Sequence, residues 1–261
     1  MGSIYTLLRA SIFIYATIYI GYENMAENVE LRRGTIGVLG GIGPESTGEF
    51  YLRLIKQLQR RGLINSNCDY PHIIINSIPA PELIGENVKK SDLMPYLDGL
   101  KQLERSGADF IVVVCNTIHS FYDALQSAVS VPVFDLRQAV GNLLLSRGIK
   151  TLAFLGLPVA VHGQLYYSSN VRYINLSNSE LASIGGAIFD FNRGAITNKQ
   201  VAELKQIARR CIAEGADVLL LGCTEVALIL KDIRLPKVDT IDVLVEGAIQ
   251  YLTESDNNAS A

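Results

Sequence analysis

A nine-residue segment occurs twice in this chain. Gly107-Ala-Asp-Phe-Ile-Val-Val-Val-Cys115 aligns without gaps on Gly215-Ala-Asp-Val-Leu-Leu-Leu-Gly-Cys223, with Gly, Ala, Asp and Cys at matching places 108 positions apart. A Gly-Ala-Asp triplet alone is explained by a helix-to-strand turn in which the aspartate caps. That explanation leaves out the cysteine at the carboxyl end of both copies. The chain therefore reads as a duplication, each copy ending a buried strand on a thiol.

The surrounding pattern fits two α/β units. Thr35 to Leu39 is a strand signal, followed by Gly-Gly-Ile-Gly and a helix from about Ser46 to Arg61, with Phe50, Leu54, Ile55 and Leu58 at helical spacing. His72 to Asn76 is a second strand, Asp92 to Ser106 a second helix, Asp109 to Val114 a third strand and Val131 to Phe134 a short fourth; Leu136 to Arg147 is again helical. From Lys150 the order restarts: a strand at Thr151 to Leu155, a helical region around Gly163 to Ser169, a strand-like segment Ala187 to Asp190, a helix from Lys199 to Glu214 and a strand at Asp217 to Leu221. Uninterrupted Val/Ile/Leu strands separated by helices predict parallel sheets covered on both faces. The expected fold is α/β: two similar Rossmann-like domains with mostly parallel sheets, related by a pseudo-twofold axis, around a central cleft. The expected boundaries are 1–34 for an N-terminal extension, 35–148 for the first domain joined by 241–261, and 149–240 for the second.

A net charge of -3 gives no basic excess for phosphate neutralisation, so a nucleic-acid partner is not expected and a small molecule is. Four scattered cysteines without a C-x-x-C pair do not make a disulfide scaffold and fit a reducing cytoplasm. The stretch from Ile4 to Tyr22 is nearly apolar, interrupted by Arg9. It lacks the basic start and the cleavage site of a signal peptide. An extension outside the catalytic fold is favoured over a helix packed on the body or a subunit, and both over a membrane anchor.

In open parallel sheets ligands bind beyond the carboxyl ends of strands. Cys115 and Cys223 sit there, followed by Asn116-Thr117 and Thr224-Glu225, short polar residues that hydrogen-bond a ligand or cap a helix. Equivalent strand ends converging on one cleft place a substrate between two sulfurs. A thiolate and a thiol on opposite faces of a carbon can remove and return a proton without a cofactor. A helix N-terminus lowers a thiol pKa from about 8.5, so one cysteine is expected as thiolate near neutral pH. Cys211, mid-helix, and Cys68, in a loop, are read as structural. His119 and His162 lack the short spacings of zinc ligands, so no metal is expected. Gly40-Gly41-Ile42-Gly43 lacks G-x-G-x-x-G spacing and Pro44 removes an N–H, which argues against phosphate; Gly41 is read as a close approach to substrate or a tight turn.

The segments Ile36 to Pro44, Gly107 to His119 and Leu221 to Val226 together resemble the aspartate/glutamate racemases that work without pyridoxal phosphate. The resemblance spans most of the chain after residue 34. It implies an isomerase, an amino-acid racemase with no cofactor and a homodimeric assembly. Cys115 and Cys223 would be the acid/base pair, with Asn116, Thr117 and Thr224 on the substrate's amino and carboxylate groups. Where aspartate-specific members carry an arginine this chain has Leu83, and Leu157 and Ala160 stand where threonines are usual. Arg193 would be the one remaining cation for a carboxylate. Losing one charge-assisted hydrogen bond weakens binding roughly ten- to a hundredfold. A non-catalytic carboxylate binder, or a cysteine-dependent isomerase or decarboxylase of other small acids, is the alternative.

Overall fold

A computed structural model describes residues 31, 34–81, 83 and 89–253. The stretch from Ile4 to Tyr22, with its three alternative readings, lies outside the described residues. The first half runs β1 (Thr35–Gly40), α1 (Pro44–Arg60), β2 (His72–Ser77), α2 (Lys90–Arg105), β3 (Phe110–Val113), a 3-10 turn (Thr117–Phe121), α3 (Tyr122–Ser127) and α4 (Leu136–Ser146). The second runs β4 (Thr151–Leu155), α5 (Pro158–His162), β5 (Arg172–Tyr173), α6 (Asn178–Asn192), α7 (Asn198–Ala213), β6 (Val218–Leu221), α8 (Thr224–Ile229), β7 (Lys237–Asp239) and α9 (Thr240–Thr253). Among the described residues no helix is long and apolar enough to cross a membrane.

Both sheets are parallel, in the orders β2-β1-β3 and β5-β4-β6-β7. The repeat sits at the same node of each. Gly107 and Gly215 take φ of 92° and 93°, a left-handed turn that glycine enters without steric cost. Ala108 and Ala216 are buried behind them. Asp109 accepts the Thr35 N–H at 2.8 Å, and Asp217 accepts those of Lys150 and Thr151 at 2.8 and 2.7 Å. The aspartates thus cap the start of the neighbouring strand, satisfying donors that the ladder leaves open.

Strand alternation then divides the first sheet between two cores. Phe110 and Val112 face the large core shared with β4 and β6, while Ile111 and Val113 face α2 through Tyr96 and Leu100. In α1, Phe50, Leu54 and Leu58 recur every fourth residue and are fully buried, worth about 1.5–3 kcal/mol each. The C-terminal α9 returns to the first half, packing on α1 and α4, with Tyr251 stacked on Phe110 at 4.4 Å between ring centroids.

Three sequence expectations differ from the structure. The fourth strand, Val131 to Phe134, is a single parallel bridge from Val133 to Ile111. Pro132 has no N–H to give, and the Val133 N–H goes to the Gln126 side chain at 2.9 Å, so no ladder extends. The strand-like Ala187 to Asp190 lies inside α6. Ser177 and Glu180 form a capping box there, and Leu181, Ile184 and Ile188 bury one helical face, so periodicity overrides local strand preference. The helical region expected around Gly163 to Ser169 is instead the short α5, which Pro158 starts.

Candidate active site

The carboxyl ends of β1, β3 and β6 border one cavity of about 170 Å³. Gly41, Cys115, Asn116, Thr117, Cys223 and Thr224 all line it, as do Leu83 and Leu157. Ala160 is buried away from it. After β1, Gly41 and Gly43 take φ of 86° and 82°. A side chain on Gly41 would collide with the Ile78 backbone, and one on Gly43 with the Glu225 carboxyl. The glycines hence bring this loop close to β2 and to the second half. The Gly41 N–H is already donated to Thr47 Oγ1 at 3.0 Å.

Arg193 is a correction. Its position caps the C-terminal end of α6, its side chain is 72% exposed and paired with Asp190, and it does not line the cavity. It follows Ala187 to Asp190, which is helical rather than strand-like, and so ends on the outside of α6.

Glu225 is the site residue that the sequence reading passed over as merely short and polar. It is 5% exposed, and one carboxyl oxygen, Oε2, accepts both the Cys223 thiol at 2.8 Å and the Thr224 hydroxyl at 3.1 Å. Its place two residues after a strand-end cysteine was the available signal. Tyr166 was also missed. Its hydroxyl donates to Asn116 Oδ1, while Asn116 Nδ2 donates to Thr240 Oγ1 at 3.0 Å and Thr240 donates to the Leu221 carbonyl at 3.0 Å. Asn116 is therefore a strut between the halves as well as a wall of the cavity.

The two thiols have different surroundings. Cys115 keeps part of its surface open, whereas Cys223 is 6% exposed. Burial pushes the Cys115 thiol up to about 12, against hydrogen bonds from the Ile118 and Thr117 N–H groups, with the Glu225 charge adding to the rise. Burial also raises Cys223 well above an ordinary thiol, and the Glu225 charge and the bond to its carboxylate add to this. Cys115 adds a smaller rise to Cys223. The thiol lowered by a helix terminus is a second correction: desolvation outweighs the backbone donors at both cysteines. Glu225 is itself raised, first by burial. His119 is fully buried; burial holds its imidazole down near 4, which makes it neutral packing beneath the Cys115 strand end. Among the described residues no group of three or more His, Cys, Asp or Glu could hold a metal ion.

The chain is 26% identical over 223 residues to the broad specificity amino-acid racemase RacX of Bacillus subtilis, covering 82% of this chain and 96% of that one. Picrophilus torridus aspartate racemase superposes with a TM-score of 0.71 at 20% identity, covering 83% of this chain and 93% of that one. An aspartate racemase homologue from Pyrococcus horikoshii gives a TM-score of 0.66 at 24% identity, covering 85% and 100%. Both solved structures share the two-sheet α/β fold. The molecule is an enzyme of the isomerase class. It belongs to the Asp/Glu/hydantoin racemase family, whose model matches residues 39–248.

Proposed function

We propose that the chain is a cofactor-independent amino-acid racemase in which Cys115 and Cys223 carry out a two-base 1,1-proton transfer at the α-carbon. The observation that supports this is the placement of both thiols on one cavity, at equivalent strand ends. One cysteine, as thiolate, takes the α-proton from one face. The electron pair left on carbon is delocalised into the adjacent carboxylate, and the opposite thiol delivers its proton to the other face. The roles of the two sulfurs are then exchanged. A high thiol pKa suits this step, since a weakly acidic C–H needs a strongly basic acceptor. Glu225 holds the Cys223 proton through a 2.8 Å bond and is positioned to take it when that thiol must ionise.

Thr117 and Thr224 are assigned to the substrate's amino and carboxylate groups, along with the second amide N–H of Asn116. The same reading divides the chain into 35–148 with the return segment 241–261, and 149–240, about a pseudo-twofold axis through the cleft. It takes the protein as a cytoplasmic homodimer, in keeping with four free cysteines; sedimentation at micromolar concentration tests the dimer. The activity test is loss of the α-proton signal in deuterium oxide over a panel of amino acids, together with the decay of optical rotation. Racemisation by the wild type and none by a variant with both cysteines replaced by serine is the expected result. Binding without exchange would instead mark a non-catalytic carboxylate binder.

A further inference from the structure

The cavity is built for one charge sign and one kind of side chain. Among the described residues that line it there is no lysine, arginine or histidine, and the one carboxyl is Glu225. Arg193 points to solvent with Asp190. Arg137, whose charge reaches Tyr166, is gripped by Asp135 at 3.1 Å from Nε and 2.9 Å from Nη2. A second carboxylate on a substrate would thus be stripped of water beside Glu225 with no cation to receive it, which is costly.

The polar and apolar parts of the wall are sorted. Cys115, Asn116, Thr117, Cys223 and Thr224 gather at the strand ends, and Asn192, on α6, is turned to Glu225 by a side-chain hydrogen bond. Ile42, Ala80, Leu83 and Tyr96 come from the first half, and Leu157, Ile188 and Phe189 from the second. The Tyr96 hydroxyl is turned to the Pro81 carbonyl, so that side chain offers its ring. We infer that the side-chain subsite, formed by Leu83 and Tyr96 with Leu157, Ile188 and Phe189, selects α-amino acids with uncharged, apolar side chains over aspartate and glutamate. This rests on the proposed use of the cavity as the substrate site. It departs from what the resemblance implies about substrate, since the position expected to clamp a side-chain carboxylate is Leu83, 6% exposed and packed in the core beside Tyr96.

The experiment compares leucine, methionine, aspartate and glutamate, both enantiomers of each, on the full-length wild-type protein. Solvent deuterium exchange at the α-carbon gives kcat/KM, and titration calorimetry gives affinity. The expected result is at least about tenfold higher kcat/KM for leucine or methionine than for either acidic amino acid. Leu83→Arg should shift the aspartate-to-leucine ratio toward aspartate by roughly ten- to a hundredfold, the effect of one charge-assisted hydrogen bond. Leu157→Arg, from the opposite and less buried wall, replaces it if the first variant does not fold. Wild-type preference for aspartate or glutamate, or an unmoved ratio in a folded arginine variant, would overturn the inference while leaving racemisation intact. If nothing exchanges, the racemase reading fails, and calorimetry alone decides: tighter binding of leucine or methionine upholds the subsite, whereas tighter acidic binding, or none, overturns it.

Discussion

The half that carries Cys115 and the half that carries Cys223 share their backbone plan and differ where the chemistry is placed. In both, a glycine with φ near 90° turns the chain into a buried alanine and an aspartate that caps the adjacent strand. Ile111 meets Val133, and Leu219, 108 residues later, meets Lys237, each next to a proline whose carbonyl accepts the partner N–H, at 2.9 and 3.0 Å. Beyond the strand ends the likeness stops. Cys115 is partly open, has only backbone N–H donors and leads into a 3-10 turn. Cys223 is buried, bonds a carboxyl and begins an α-helix. Scaffolding contacts are thus alike in the two halves while the thiol surroundings differ, and the two bases of the proposed reaction have unequal support.

The sharpest probe of that inequality is to remove one sulfur at a time. Cys115→Ser and Cys223→Ser should each lower inversion by about 10²- to 10⁴-fold. Each variant should still exchange the α-proton of one enantiomer only, and of opposite enantiomers in the two cases, as read by proton resonance in deuterium oxide. If either single variant inverts at the wild-type rate, the two sulfurs do not work as a pair. Next in size is Glu225→Gln. It should reduce kcat/KM roughly ten- to a hundredfold in both directions alike, because the equilibrium constant of a racemisation is fixed at one. Exchange without inversion on the Cys115 face should survive, and equal loss on both faces would show that the carboxyl serves the whole cavity.

The pH profile tests the raised thiols. An acid whose pKa is lifted is mostly protonated at neutral pH, so the thiolate fraction grows as pH rises. The reaction needs one thiolate and one thiol, hence kcat/KM should climb by about tenfold per unit between roughly pH 6 and 8.5. A plateau across that window would mean that one thiol is already ionised, contrary to the burial that pushes Cys115 to about 12. The smallest effect belongs to the caps. Asp217→Asn should lower the thermal midpoint more than Asp109→Asn, since Asp217 accepts two backbone N–H groups and Asp109 accepts one from Thr35. Those two bonds hold the Asp217 carboxyl below its usual range. Its contribution is thus full above the ordinary aspartate pKa and is lost as pH falls through the lowered one. Melting curves at neutral and acid pH should show the Asp217→Asn deficit shrinking in acid.

Much of the architecture was legible because it is written locally. Apolar runs marked β1, β3, β4 and β6, and the i, i+4 stripe of Phe50, Leu54 and Leu58 marked α1. The segment Ala187 to Asp190 misled because a few apolar residues have no period of their own. Only the longer pattern from Ser177, with its capping box, resolves it as helix. Of the cavity lining, Gly41, Cys115, Asn116, Thr117, Cys223 and Thr224 lie where the sequence put strand ends, since strand ends fall where buried runs stop. Arg193 was misplaced, because its placement depended on that same misjudged segment. Tyr166 escaped because its partner Asn116 is brought to it by the fold, whereas Glu225 had a signal in its spacing from Cys223 and only its burial against Gly43 needed the fold.

Taken alone, the sequence determined that this is a duplicated α/β chain with a thiol closing the matched strand of each copy, since burial periodicity and strand-end chemistry are properties of contiguous residues. Only the tertiary structure decided that both thiols share one cavity, that no basic group is among its described walls, and that Glu225 rests against Gly43 and Cys223. Charge, burial and pKa at a point depend on what distant segments bring there, and desolvation by those segments is what raises both thiols where the sequence led one to expect a lowered one.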